Sequence, residues 1–179
     1  MENKLIRYQQ SGHFHFVIFS CYRRRPYFRS RAGRELFERS LEKMRIRYGI
    51  TTFEYVVMPE HVHLLVNEPK NAILSKAIQA LKLSVSVQHR RQPFWQARYY
   101  DFNVFTHRKF VEKLRYIHRN PVTRGLVPAP QDWPWSSFRH FAYGERGTVE
   151  IESRWTFTRR NCAAAEAHVS KARCGAPAL

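Results

Sequence analysis

The chain has 179 residues, of which 44% are hydrophobic and 15% aromatic, enough for one well-packed domain and too few for two. Lysine and arginine number 31 against 14 acidic residues, and the resulting formal charge of +17 indicates a polyanionic partner rather than a neutral metabolite. No apolar run approaches the ~18 residues of a membrane helix, and the start MENKLIRYQQ lacks the apolar core of a signal peptide, so we expect a cytoplasmic, nucleoid-associated protein without a membrane partner.

The first half of the chain predicts a strand, a helix and a hairpin. The aromatic and β-branched run FHFVIFSCY at 14–22 is typical of a strand. Apolar residues at helical spacing predict a helix over 33–48, which Gly49 would end. TTFEYVVM at 51–58 and HVHLLVN at 61–67 are strand-like and separated by two residues, so they predict an antiparallel hairpin.

The second half predicts a helix, a strand and a third helix. Asn71 is a candidate cap for a helix that fades near His89. Its apolar stripe consists of Leu74, Ile78, Leu81 and Val85. The aromatic segment 94–105 predicts a strand, and helical spacing returns from His107 until Pro121 disfavours helix at its neighbour Asn120.

This order of elements is typical of an α+β fold, with a ferredoxin-like or RRM-like antiparallel sheet and helices packed on it. We assign it to one domain over residues 1–143. From residue 144 to 179 the periodicity is lost and small residues increase, which predicts a peripheral or disordered tail.

Two His-x-His pairs are candidate metal sites. Nine histidines give about 0.4 such pairs by chance, and the sequence holds two. His61 and His63 lie in the second hairpin strand, where alternation points both imidazoles to one face and Val62 to the other. The rival pair, His13 and His15, lies near the amino terminus, where nothing nearby favours a metal site and a solvent-facing pair at a strand edge is the simpler explanation.

The third helix carries a tyrosine and an amide one turn apart. On a helical wheel Val111, Leu114 and Ile117 form the core-facing stripe, while Tyr116 and Asn120 are neighbours on a side that the core does not use. A hydroxyl and an amide in that arrangement are candidates for a nucleophile and a metal ligand. A boundary tyrosine with its hydroxyl in water, and an asparagine that ends a helix before proline, are the structural alternatives.

Arginines crowd the first loop, and rings alternate with a cation in the predicted strand before the third helix, as in proteins that bind phosphates and stack on bases. The candidate DNA contacts are Arg23, Arg24, Arg25, Trp95, Arg98, Tyr99 and Arg119. The alternative is that the arginines form a solvated loop and the rings belong to the core.

Four blocks of the sequence, in order, resemble the REP-associated tyrosine transposases, a branch of the single-tyrosine HUH transposases. The blocks are VVMPEHVHLLV at 56–66, FWQARYYDFNVF at 94–105, LRYIHRNPVTRGLV at 114–127 and DWPWSSFRHF at 132–141. The resemblance spans roughly residues 8–143 and implies a ferredoxin-like nuclease that cuts and rejoins single-stranded DNA near a hairpin. It places the HUH pair on His61 and His63, the nucleophile on Tyr116 and a third metal ligand on Asn120. Members commonly carry Asn where this chain has Glu60.

The resemblance also implies a metal-dependent mechanism through a 5′-phosphotyrosine intermediate, with Mg²⁺ or Mn²⁺ as the cofactor. The expected partner is single-stranded or hairpin DNA of the repeated extragenic palindrome type, bound by a monomer or a homodimer. Three alternatives stay open: a non-catalytic RRM-like nucleic-acid-binding protein, a hydrolase that uses water as the nucleophile, and a host-adopted enzyme that no longer moves itself.

Overall fold

The computed structural model describes residues 12–160. The strands are β1 (Phe14–Ser20), β2 (Thr52–Val57), β3 (His61–Val66) and β4 (Tyr100–Val104), and the helices are α1 (Arg31–Tyr48), α2 (Leu74–Gln88), α3 (His107–Thr123) and α4 (Phe138–Tyr143). Short 3₁₀ turns lie at Tyr22–Arg24 and Pro130–Asp132. The predicted order of elements is therefore confirmed.

The four strands form one antiparallel sheet in the order β2-β3-β1-β4. Helix α1 connects β1 to β2, which have β3 between them in the sheet, and α2 connects β3 to β4, which have β1 between them. This is the βαββαβ ferredoxin-like topology. This confirms the predicted α+β fold. Strand β4 forms one edge of the sheet and is shorter than predicted, because the segment from Phe94 to Tyr99 packs as a loop.

The sheet separates two cores. Helices α1 and α2 cover one face, where Val17, Phe37 and Leu64 are fully buried. Helix α3 crosses the other face, where Phe16, Leu65 and Ile117 form the second core. Side chains of β1 and β3 alternate between the two cores, so successive residues along a strand lie on opposite faces of the sheet.

The predicted end of α1 at Gly49 is confirmed, whereas the predicted N-cap of α2 is not. Ser30 accepts a hydrogen bond from the Gly33 backbone N–H at 3.1 Å, and Gly49 ends α1 with a left-handed φ of 63°. The predicted cap at Asn71 is wrong, because α2 begins at Leu74 and its N-cap, Ile73, makes no side-chain cap bond. Helix α2 therefore begins at Leu74, the first residue of its apolar stripe, without a side-chain cap.

Helix α3 continues past the proline at which it was predicted to end. Thr106 caps it by accepting from the Lys109 backbone N–H at 3.2 Å, and the helix includes Pro121 before ending at Thr123. Proline lies in the last turn, where it removes one backbone hydrogen bond, while Arg124 N–H still donates to the Asn120 carbonyl at 3.0 Å.

The segment after Tyr143 does not match the predicted peripheral tail as far as residue 160. Val149 and Ile151 are each 2% exposed and pack into the α1/α2-side core. Ile151 also forms a parallel bridge with Thr52 on β2. Two buried aliphatic side chains in an irregular segment produce no periodicity, which explains why the sequence pattern missed them. The rest of the predicted tail, 161–179, lies outside the described residues.

The described residues also bear on membrane insertion and on the cysteines. Within residues 12–160, none of the helices has the length and apolar character needed to cross a membrane. Cys21 is a free, buried thiol whose pKa burial raises to about 12, and Cys162 and Cys174 lie outside the described residues.

Candidate functional site

The β2–β3 hairpin positions two histidines on the sheet face that α3 crosses. Val62 and Leu64 are fully buried on the opposite face, so His61 and His63 point together toward the helix, as the alternation predicts. Their Nε2 atoms lie 2.8 Å apart. The two imidazoles therefore converge on one point.

Burial keeps both imidazoles neutral. It lowers the pKa of His61, and it lowers the pKa of His63 well below its usual range, with the neighbouring His61 and the Lys113 ammonium acting in the same direction. A neutral imidazole has a free nitrogen lone pair, which a metal ligand requires. The pair is thus prepared to bind a cation rather than to carry charge itself.

Tyr116 stands beside this pair. Its side chain is 49% exposed, and its ring lies edge-on to His63 at 5.4 Å and to Phe16 at 5.9 Å between centroids. Phe16 in turn stacks on His63 at 5.8 Å. These ring contacts fix the direction of the tyrosine while leaving it open to a large ligand.

Asn120 lies one turn beyond Tyr116 but is only 7% exposed, whereas the helical wheel placed both residues away from the core. The core-facing side of α3 is rotated from the predicted one: Val111 and Leu114 are partly exposed, and Ile117 is the residue of the predicted stripe that is fully buried. Because the contact face of α3 centres near Ile117, Asn120 falls inside it and Tyr116 at its edge. The Asn120 Oδ1 atom is buried and has no hydrogen-bond partner within residues 12–160.

An open cavity of about 490 Å³ brings the four predicted chemical groups together: His61, His63, Tyr116 and Asn120 all line it. Its cationic lining consists of Arg24, Arg115, Arg119 and Arg124. One carboxylate, Glu112, also lines the cavity. The excess of arginine makes the cavity suited to a phosphate-bearing ligand.

The donor atoms fit a divalent cation only in part. Two converging Nε2 atoms and one unpartnered amide oxygen supply up to three ligands, and the open cavity leaves room for water or phosphate oxygen. No three His, Cys, Asp or Glu side chains in the described region form a metal-binding group. A metal held here would therefore depend on Asn120 and on oxygens that the substrate or water provides.

The predicted DNA-contacting arginines are all solvent-exposed, but only two of them line the cavity. Arg24 and Arg119 do so, and Arg23, Arg25 and Arg98 lie on the surface outside its lining. Both Arg23 and Arg24 adopt the left-handed region at φ 51°. Such a backbone is unfavourable for arginine and indicates a loop shape set by its surroundings.

The two aromatic residues predicted to contact DNA pack against the core on the α1/α2 side of the sheet. Trp95 packs against Phe94 at 4.7 Å and Phe19 at 5.0 Å, and its indole N–H donates to the Lys82 carbonyl at 2.8 Å. Tyr99 is partly buried against the same core. This packing favours the core alternative for both rings.

The neighbouring residue, Tyr100, is the exposed ring on the α3 side. It pairs with Ile18 on β1, and Ile18 pairs with His63 on β3, so the three residues form one row across the sheet. Tyr100 is 40% exposed and parallel to Phe102 at 6.5 Å. A stacking surface therefore lies two strand spacings, about 10 Å, from the histidines.

The rival pair, His13 and His15, does not form a comparable site. His15 is fully buried and lies between two carboxylates, with Nδ1 2.8 Å from Asp101 and Nε2 3.4 Å from Glu68. It belongs to the face opposite α3, away from Tyr116. His13 packs its ring against Phe105. The predicted solvent-facing alternative is therefore wrong for His15, which takes part in a buried ionic cluster.

Sequence reasoning missed two contacts that hold the site. Glu60, in the hairpin turn, places Oε1 3.0 Å from His61 Nδ1 and accepts from Arg124 at 2.9 Å. Glu54 on β2 is in close contact with His118 on α3, and both side chains are buried. An acidic residue directly before the first histidine was visible in the sequence, whereas Glu54 and His118 gave no signal.

Fold and site together define a ferredoxin-like domain with a histidine pair facing a helix-borne tyrosine across a basic cavity. A family model described as "Transposase IS200 like" matches residues 8–120, which is more than half of the chain. The chain belongs to this family of transposases.

Two curated relatives carry a more specific name. A Haemophilus influenzae protein assigned as a REP-associated tyrosine transposase is 29% identical over 106 residues, covering 51% of this chain and 60% of the relative. The Escherichia coli REP-associated tyrosine transposase is 28% identical over 85 residues, covering 47% of this chain and 52% of the relative. The chain thus matches little more than half the length of each.

Among solved structures, a REP-associated tyrosine transposase bound to a REP hairpin has the same fold. It superposes with a TM-score of 0.71 at 21% sequence identity, covering 84% of this chain and 92% of that one.

Proposed function

We propose that this protein is a DNA strand transferase that cleaves and rejoins single-stranded DNA beside a hairpin, with Tyr116 as the nucleophile. The observation that carries the proposal is the half-exposed Tyr116 ring held 5.4 Å from His63 in a cavity lined by four arginines. The family membership and the two relatives support the reaction class.

In the proposed reaction the Tyr116 Oη atom attacks a DNA phosphorus and the bond from phosphorus to the 3′ oxygen breaks. The phenolic hydrogen is replaced by the phosphoryl group, and the departing 3′ oxygen ends as a hydroxyl. The products are a 5′-phosphotyrosine adduct and a free 3′-hydroxyl strand. Because one phosphodiester replaces another, a second 3′-hydroxyl can reverse the attack and join a new strand without ATP.

His61 and His63 would hold a divalent cation through Nε2, with Asn120 Oδ1 as the third protein ligand. When bound, Mg²⁺ or Mn²⁺ would stabilise the negative charge that develops on the phosphoryl oxygens. The residues themselves prepare the site: burial keeps the imidazoles neutral, Phe16 packs against both His63 and Tyr116, and the arginines attract the phosphate.

We place the DNA across the α3 face of the sheet. Arg24, Arg115 and Arg119 would contact phosphates at the cavity, and an unpaired base would stack on Tyr100. The relative solved with a REP hairpin supports hairpin DNA as the ligand class. Arg23, Arg25 and Arg98 remain proposed contacts for the hairpin, outside the cavity.

The test is covalent capture. Purified protein would be incubated with Mg²⁺ or Mn²⁺ and labelled single strands that carry imperfect palindromes from the source genome, followed by denaturing electrophoresis and peptide mapping. We expect an adduct on Tyr116 that Tyr116→Phe abolishes and His61→Ala suppresses. Tyr143→Phe is the matched control, because Tyr143 is 58% exposed and lies at the end of α4.

Other outcomes would identify the alternatives. Cleavage without an adduct in the wild type would favour a hydrolase that uses water. Tight hairpin binding with neither adduct nor cleavage would favour the non-catalytic binding protein. An adduct that persists in Tyr116→Phe would remove this tyrosine as the nucleophile.

A further inference from the structure

Glu60 joins three parts of the candidate site. It occupies the turn between β2 and β3, directly before His61, and its side chain is only 13% exposed. A single oxygen, Oε1, lies 3.0 Å from His61 Nδ1 and 2.9 Å from Arg124 Nη2. Arg124 is the C-cap residue of α3, the helix that carries Tyr116 and Asn120. One carboxylate therefore contacts both the histidine strand and the tyrosine helix.

These contacts assign the proton positions on the histidine pair. A carboxylate only accepts hydrogen bonds, so the His61 Nδ1–H donates to Glu60, and Nε2 of the neutral ring carries the lone pair. His63 Nε2–H then donates across the 2.8 Å separation to His61 Nε2. The remaining nitrogen, His63 Nδ1, is buried without a hydrogen-bond partner inside the described region, as expected for an unprotonated nitrogen.

The two histidines are thus prepared to different degrees. His61 already carries its lone pair on Nε2, where it accepts from His63, and needs no tautomer change to bind a cation. His63 must move its proton from Nε2 to Nδ1 before it can bind the same ion. A carboxylate behind a ligand histidine orients the ring and increases the basicity of the ligand nitrogen.

Arg124 gives the carboxylate a second role. Its side chain is 51% exposed, so the ion pair adds little stability. The ion pair instead acts through geometry, because it attaches the end of α3, four residues beyond Asn120, to the hairpin turn. It also directs Oε1, the atom that meets His61.

We infer that Glu60 is a positioning residue that fixes the His61 ring with Nε2 toward the cavity and, through Arg124, holds the end of helix α3 against the metal-binding hairpin. The inference depends on the metal site of the proposed function. It assigns a role to the residue at which this chain differs from the asparagine common in the transposases that it resembles.

The first test measures metal binding in the absence of DNA. Titration calorimetry of the full chain with Mn²⁺ should show that Glu60→Ala weakens binding about 10–100-fold. Glu60→Gln, which retains an acceptor oxygen, should lose less, and Arg124→Gln should lose least. Glu145→Gln is the matched control, because Glu145 is a surface carboxylate paired with Arg139 at 2.7 Å, and it should bind as the wild type does.

The second test observes the tautomer directly. Long-range ¹H–¹⁵N spectra of the metal-free protein should show His61 protonated at Nδ1 in the wild type and a mixture of tautomers in Glu60→Ala. At saturating Mn²⁺ the adduct yield of Glu60→Ala should return toward that of the wild type. A merely structural role would change thermal stability without changing the tautomer. Should Glu60→Ala fold poorly, Glu60→Gln provides the same two measurements.

The results separate this inference from the proposed function. A wild-type protein that binds no Mn²⁺ would refute the metal site and the inference with it. Wild-type binding that Glu60→Ala weakens less than twofold, or an unchanged His61 tautomer in that variant, would overturn the role of Glu60 and leave the nucleophile and metal site standing.

Discussion

The aromatic segment that leads into β4 places Trp95 and Tyr100 on opposite faces of the sheet, which allows the two rings to be tested separately. We predict that Trp95→Ala destabilises the fold, whereas Tyr100→Ala weakens DNA binding and leaves the fold stable. Trp95 contacts Phe19, Phe28, Phe37 and Phe94, with centroid distances of 4.7 to 6.4 Å. Its N–H also satisfies the Lys82 carbonyl.

The expected magnitudes differ clearly. Truncating a buried tryptophan costs about 3–5 kcal/mol; since Trp95 is only partly buried, the lower end applies, and the lost hydrogen bond adds about 1 kcal/mol. A loss of about 4 kcal/mol lowers Tm by roughly 8–16 °C for a chain of this size. Tyr100 is 40% exposed, so its truncation should cost about 1 kcal/mol or less in stability. Losing one base-stacking ring should weaken single-strand affinity by about 1–3 kcal/mol, or roughly 5–150-fold.

Urea unfolding followed by circular dichroism would measure stability, and fluorescence anisotropy with a hairpin that carries a single-stranded tail would measure affinity. Trp95→Phe, which keeps a ring, should recover most of the stability. The reasoning would be refuted by a Trp95→Ala variant that is as stable as the wild type but loses DNA binding, together with a Tyr100→Ala variant that binds normally.

Two further predictions concern pH and salt. Burial raises the pKa of Glu38 to about 7 despite the hydrogen bond from the Tyr55 hydroxyl. The stabilisation that this carboxyl gives the folded state is fully present below its unfolded pKa of about 4.5 and is lost as the pH rises through 7. Glu38→Gln should flatten the fall in unfolding free energy between pH 5 and 8 by up to about 3 kcal/mol in urea titrations, and an unchanged slope would contradict the shift. The four arginines of the cavity predict that the logarithm of the affinity for single-stranded DNA falls with the logarithm of the salt concentration at a slope of about −3. Arg119→Gln should make this slope shallower by about 0.7. A nearly salt-independent affinity would contradict phosphate contact.

Local patterns were sufficient to predict the elements that hold the histidines. The hairpin followed from two strand-like runs separated by two residues, and strict alternation placed His61 and His63 opposite Val62. Gly49 ended α1 as its position suggested. These features depend on contacts within a few residues, which is the range over which periodicity carries information.

Other features depend on long-range packing that the sequence pattern does not contain. Tyr99 and Tyr100 are adjacent, and only the register of β4 against β1 decides which of them faces α3. Asn120 was assigned to a side away from the core because the stripe of Val111, Leu114 and Ile117 centres the helical wheel on Leu114, whereas the sheet contacts the helix nearer Ile117. Each error is a rotation or a shift of one residue, and each moves a side chain from one face to another.

Helix α3 is attached to the β2–β3 hairpin at successive points along its last turns: Ile117 is fully buried in the core that contains Leu65, His118 contacts Glu54, and Arg124 contacts Glu60. The hairpin that supplies these attachments also carries both histidines. The distance between Tyr116 and the histidines is therefore set mainly by this hairpin, by helix α3 and by the Phe16 ring of β1, which packs against both His63 and Tyr116. Changes at Arg23 and Arg25, which are exposed and lie outside the cavity lining, can consequently alter which DNA the protein recognises without moving the nucleophile away from its partners.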